Sequence, residues 1–206
     1  MGYVPSKSVC VLAAVLLTVV IPLTSCGHAA VGPHGGQSES RTDHDGRTGA
    51  HNGADVAFAA NMLPHHQQGV LLAAMVPAHT LNPDLRVIAA HIAADQQAEI
   101  QTLNLLLAQW HEHPDADHGF AAGHDAMRMA GMVDQDTIDR LQSLDGAAFD
   151  TLWAKSMISH HQGAVTMAQA EIAHGQSVDA IHTATLIVDA QQREIATMTH
   201  LISLPQ

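Results

Sequence analysis

Aromatic side chains are scarce in this sequence: Phe, Trp and Tyr together make up 3% of its 206 residues. Ala, Leu, Val and Met must therefore build the interior, which suits helices better than a β-sandwich. Basic residues are scarce as well. Eight Lys and Arg stand against twenty Asp and Glu, a net charge of −12. Such a surface repels phosphate backbones, so no nucleic-acid partner is expected. The only cysteines are Cys10 and Cys26, both close to the N-terminus, so the body of the chain carries no disulfide and must be held by its core or by a ligand. Neither a G-x-S-x-G nucleophile elbow nor a Gly-rich phosphate loop occurs, and hydrolase and nucleotide readings lose their usual signatures. Against these absences stand seventeen His and nine Met. Imidazole and thioether together favour soft or borderline metal ions.

The N-terminal segment reads as an address. Lys7 precedes an apolar run from Val9 to Ile21, shorter than an ordinary membrane span and typical of a signal-peptide core. Leu23-Thr24-Ser25-Cys26 followed by Gly27 resembles a bacterial lipobox, which implies cleavage after residue 25 and lipid modification of Cys26. The expected organisation is a lipoprotein signal peptide over 1–25, a disordered tether over 26–53, and one domain over 54–206. The tether is rich in Gly, Ser, His and Asp and would span roughly 30 Å as a flexible coil. The expected location is the outer face of the cell membrane.

The domain is one unit written twice. Shifted by 95 residues without a gap, Asp55 to Leu106 matches the later half of the chain at 19 of 52 positions, the mark of an internal duplication. The shared pattern D-x-x-[F/W]-A-x-x-M-x-x-H-H-Q-x-x-V-x-x-A begins at Asp55 and again at Asp150. Each copy reads as a helical hairpin, with Asn82-Pro83 and Ser177 opening the second helix of each. The predicted fold is all-α, an antiparallel four-helix bundle made from two hairpins. A His- and Met-rich linker over 111–133 joins them, and a short helix from Gln135 to Leu144 follows, capped by Asp134.

At about 100° per residue, Asp55, Met62 and His66 share the apolar stripe of their helix, and His65 lies on its flank. Asp150, Met157, His161 and His160 repeat this arrangement. Glu99 and Glu194 fall on the apolar faces of the partner helices, where a carboxylate needs an imidazole or a cation. The candidate metal set is Met62, His65, His66, Glu99, Met157, His160, His161 and Glu194. A buried polar network that fixes helix register uses the same residue types, and duplication copies it equally well. A second candidate set lies in the linker: His111, His113, His118, His124, Met127, Met129 and Met132. Met and His without Cys suit copper in an oxidising compartment.

The M-x-x-H-H-Q motif, its recurrence 95 residues on, the Q-x-x-E-I element and the Gly- and Met-rich middle resemble the bacterial domain-of-unknown-function family 305. The resemblance covers residues 54–204. It implies an exported or membrane-tethered protein with a ferritin-like four-helix fold, and a likeness to periplasmic copper-tolerance proteins. The family motif falls on Met62, His65, His66, Met157, His160 and His161, and its Gln-Glu element on Gln96, Glu99, Gln191 and Glu194. Gln68-Gly69 departs from the family's usual residues, which the second copy keeps as Gly163-Ala164.

The leading expectation is an extracytoplasmic lipoprotein that sequesters copper or hands it to a partner protein. Its partners would be the membrane, through the lipid, and a metal donor or acceptor, and a homo-oligomer is compatible with this reading. Catalysis is not expected. A di-iron oxidase, the iron-dependent alternative, would want Glu-x-x-His on single helices, but Thr102 and Thr197 stand three residues after Glu99 and Glu194. A structural adaptor with a metal-free polar core is the third reading.

Overall fold

Five helices and no strand form among the residues described by the computed structural model, 50–112 and 130–203. They are α1 (Gly53–His79), α2 (Pro83–Gln109), α3 (Gln135–Gln142), α4 (Gly146–His174) and α5 (Val178–Ser203). The signal segment, Cys26, most of the tether, and His113, His118, His124, Met127 and Met129 lie outside the described residues. No helix among the described residues is long and apolar enough to cross a membrane.

The helix starts follow from their caps. Asn52 opens α1 with a reciprocal capping box: its side chain accepts from Ala54 and Asp55 N–H, and Asp55 Oδ2 accepts from Asn52 N at 2.6 Å. Asn82 caps α2 with Pro83 at its first position, and Asp134 accepts from Thr137 N to start α3. Ser177 Oγ accepts from Ala180 N at the start of α5. The first helix runs to His79 and stays continuous through both Pro64 and Pro77.

The long helices pack as two hairpins, α1 on α2 and α4 on α5, joined along α1–α4 and α2–α5. Their apolar residues form two separate clusters. One takes Phe58, Met62 and Leu63 from early α1, Leu103 and Leu107 from late α2, Ala164 and Ala168 from α4, and Ala184 and Ile187 from α5. The other takes Leu72 and Val76 from late α1, Ile88 and Ile92 from early α2, and Trp153, Met157 and Met198. Between the clusters, at the middle of every long helix, sit buried polar residues: His65 and His66, Gln96, His160 and His161, and Gln191 with Glu194.

One end of the assembly is stitched by Asp55. Its carboxylate, already in the α1 capping box, also accepts from Gln176 N and Ser177 N, at 3.0 and 2.8 Å to Oδ1, ahead of α5. Asn52 Nδ2 donates to His174 O at 2.9 Å across the same seam. Glu171, the counterpart of Val76 in the other copy, is buried beside this carboxylate. Burial and the Asp55 charge push the Glu171 carboxyl up to about 8. Burial alone would also raise Asp55, but the adjoining Glu171 carboxyl and the hydrogen bonds from Asn52, Ser177 and Gln176 N–H outweigh it and hold Asp55 below its usual range.

The folded chain thus keeps a proton on Glu171 that the unfolded chain releases near pH 4.5. This carboxyl is expected to make stability fall as pH rises from about 4.5 to about 8 and level off above that. Glu171→Gln should remove that falling component, as read from urea midpoints of wild type and variant across the pH range. Parallel pH profiles for the two proteins would count against a protonated Glu171.

Candidate metal centre

The two halves of the duplication meet at their histidines. His65 of α1 and His160 of α4 stack with ring centroids 3.8 Å apart and planes 30° from parallel. Both side chains are fully buried. Helical geometry puts His65 on the flank of the α1 stripe, yet it is as buried as His66, because α1 is covered by α2, by α4 and by the segment preceding α3. The second histidine of each pair turns into its own hairpin. His66 Nε2 lies 2.8 Å from Glu99 Oε2 of α2, although not aligned as a hydrogen bond. His161 Nε2 is hydrogen-bonded to Glu194 Oε2 of α5 at 2.8 Å.

Proton placement on these rings follows from their partners. His65 Nε2 lies 3.2 Å from the Ala130 carbonyl, which can only accept, so Nε2–H donates and the Nδ1 lone pair is left over. The same logic leaves Nδ1 of His161 as the free nitrogen beside its carboxylate partner. Nδ1 of His65, His66 and His161, and both nitrogens of His160, are buried without a hydrogen-bond partner among the described residues. Each such atom costs about 1–3 kcal/mol if nothing binds it. Burial, reinforced by the neighbouring His66, lowers His65 to about 3; burial and the surrounding histidines lower His160 to about 2. Both rings are therefore neutral, the form in which imidazole binds a metal.

Met62 and Met157, each fully buried, lie four residues before His66 and His161 on the same helical stripes. Neutral imidazoles in the layer, with Met62 in the apolar cluster on one side and Met157 in the cluster on the other, make a set of donor types that fits a soft ion. Three His or carboxylate ligand atoms do not converge on the stacked rings among the described residues. The Gln96 and Gln191 side-chain amides, also buried and unpartnered, border the same layer.

The segment from Ala130 to Val133 closes over the histidine stack, and it explains where the two copies diverge. Gln68 clamps it through both amide atoms: Nε2 donates to Val133 O and Oε1 accepts from Val133 N, each at 2.8 Å. The position equivalent to Gln68 in the second copy is Gly163, where a Cβ would overlap the Ala130 carbonyl. Gly131, at φ +84°, runs against the backbone of Ser159 and His160. Of the linker candidates, only His111 and Met132 are described. His111 is exposed just beyond α2 with φ +62°, and Met132 is half-buried next to Gly131. Gln68, Gly163 and Gly131 were not among the sequence candidates. The Gln68-Gly69 departure between copies was the only signal pointing to them.

Neutral His65 and His160 in the folded state, against an ordinary value of 6.5, mean that the unfolded chain takes up protons first on acidification. The metal-free protein should lose stability as pH falls from about 6.5 toward about 3. A His65→Gln, His160→Gln double variant should show a shallower acid limb in the same denaturation series.

The sequence pattern of the family described as "Domain of unknown function (DUF305)" matches residues 55–202. Solved structures of similar fold include a DUF305 protein from Streptomyces coelicolor, described as secreted, with 27% identity and a TM-score of 0.67 over 73% of this chain and 92% of that one. A DUF305 fragment from Deinococcus radiodurans has 26% identity and a TM-score of 0.66 over 74% and 97%. CopM in its Cu(II)-bound form has 28% identity and a TM-score of 0.61 over 72% and 95%, and it is also known in Cu(I)- and Ag-bound forms. No curated protein matches the chain in sequence. With the family pattern spanning the whole helical domain and both histidine pairs, this chain belongs to the DUF305 family.

Proposed function

We propose that this protein binds copper outside the cytoplasm, holding Cu(I) in the buried layer where its two repeats meet. The observation that carries this reading is the set of orphaned imidazole nitrogens on His65, His66, His160 and His161, buried in a layer with one buried thioether, Met62 or Met157, in the apolar cluster on either side. A protein that needed only a polar core would be expected to pair these atoms with one another. Neutral imidazole and thioether donors favour Cu(I) over harder ions. CopM, 26–28% identical with similar coverage, binds copper and silver, two ions that share this preference.

In this reading His65 and His160, with Met62 and Met157, are the principal ligands, and His66 and His161 complete the donor set. Glu99 and Glu194 then orient their rings, as carboxylates commonly do behind metal-bound histidine. The four long helices act as an antiparallel bundle around this layer, and the segment from Ala130 to Val133 covers it. The linker residues His111, His113, His118, His124, Met127, Met129 and Met132 form a second, lower-affinity capture region. Cys26 anchors the chain by its lipid to the outer face of the membrane, and the copper passes to or from a partner protein there.

The test is anaerobic Cu(I) titration of the full exported chain against a chromophoric chelator. His65→Ala with His160→Ala should abolish tight binding, while Glu99→Gln with Glu194→Gln should weaken it by about 10- to 100-fold. Wild-type affinity in the first double variant, with helical content intact, would mean that the layer is a structural polar network and the copper lies elsewhere.

A further inference from the structure

At the edge of the histidine layer, one three-residue chelating group is present among the described residues. His91, Asp95 and Glu194 each offer one ligand atom, and the three atoms lie within 4.8 Å of one another. His91 and Asp95 stand one turn apart on α2 with His91 Nε2 3.3 Å from Asp95 Oδ2. Their side chains are 63% and 40% exposed. Glu194 reaches them from α5 and is itself only 5% exposed. Its Oε2 is occupied by His161, while Oε1 is buried and without a hydrogen-bond partner among the described residues.

The duplication argues that this group is not inherited scaffolding. The residues equivalent to His91 and Asp95 in the second copy are Leu186 and Ala190, so Glu99 has no such neighbours by descent. Two helix-borne ligands were therefore placed beside one glutamate only, at the α2–α5 seam and open to solvent. Their chemistry differs from that of the interior. One imidazole and two carboxylates form a borderline-to-hard donor set suited to Zn(II) or Cu(II), with water completing the shell. The net charge of −12 favours arrival of a cation at such a site.

We infer that His91, Asp95 and Glu194 form a second metal site, for a borderline divalent ion, on the surface of the α2–α5 seam. It deepens the copper reading in one respect: Glu194 spans the two regions, with one oxygen on the buried His161 and the other free for the surface ion. The inference does not require the buried layer to bind anything.

Zn(II) serves as the probe, titrated into the full chain against a competing chelator, together with thermal melts with and without Zn(II). An ion bound by ligands from two helices stabilises the folded state, so wild type should melt higher with Zn(II). His91→Leu with Asp95→Ala, which borrows the residues of the second copy, should bind one Zn(II) fewer per chain and lose most of that thermal shift. Asp95→Asn should show the same loss in weaker form. Anaerobic Cu(I) affinity should be unchanged in both. His65→Ala with His160→Ala should keep this zinc equivalent whether or not it loses copper. An unchanged zinc count and thermal shift in the His91/Asp95 variant would overturn the inference. Loss of the zinc equivalent only in the His65/His160 variant would overturn it as well, by moving that ion into the core.

Discussion

Two uncharged imidazoles pressed face to face in the middle of a helical domain are the constraint around which this protein is organised. His65 and His160 stack at 3.8 Å with no water-exposed edge, a distance at which two imidazolium rings would repel strongly in a medium of low polarity. Their burial keeps them neutral. Around the stack, His161 pairs with Glu194, His66 lies beside Glu99, and His65 faces a backbone carbonyl. The two apolar clusters lie on either side of this layer. They supply the burial that offsets its cost, and they hold the four long helices in the register that brings His65 to His160.

The duplication supplies the symmetry, and a few substitutions break it to useful effect. Gln68 in one copy grips the segment before α3, and Gly163 in the other makes room for it. That single segment can therefore cover both stacked rings, though a strictly symmetric pair of hairpins would need two. Glu171 in place of Val76 adds a protonated carboxyl against Asp55 at one end only. His91 and Asp95, absent from the second copy, give Glu194 an outer surroundings that Glu99 lacks. The result is a domain with a soft, dry interior layer and a harder, wetter group at its edge, which share one glutamate.

The copper reading and the family membership draw on different observations. Membership rests on a sequence pattern that spans the helical domain. Copper rests on unpaired imidazole nitrogens in a layer flanked by two buried thioethers, together with the likeness to CopM. A soft ion would satisfy those nitrogens without introducing a buried protonated imidazole, which is the one change the stack cannot absorb.

Much of this was legible in the sequence, because helix caps and repeats are local features. Asn82-Pro83, Ser177 and Asp134 marked helix starts that the structure bears out, and the offset of 95 residues identified two matching hairpins and their histidine pairs. The carboxylates on apolar helix faces correctly announced buried partners, and those partners are imidazoles. What could not be read was which histidine of each pair meets its twin. Adjacent residues point about 100° apart on a helix, and the choice depends on how wide an arc of α1 its neighbours cover. The clamp by Gln68, the space left by Gly163 and the convergence of His91 and Asp95 on Glu194 likewise join residues more than 30 positions apart, set by packing between elements. The sequence by itself determined the helices, their duplication and the chemistry of the donors. Only the tertiary structure decided which donors meet, because that follows from distances between helices that no periodicity within one helix encodes.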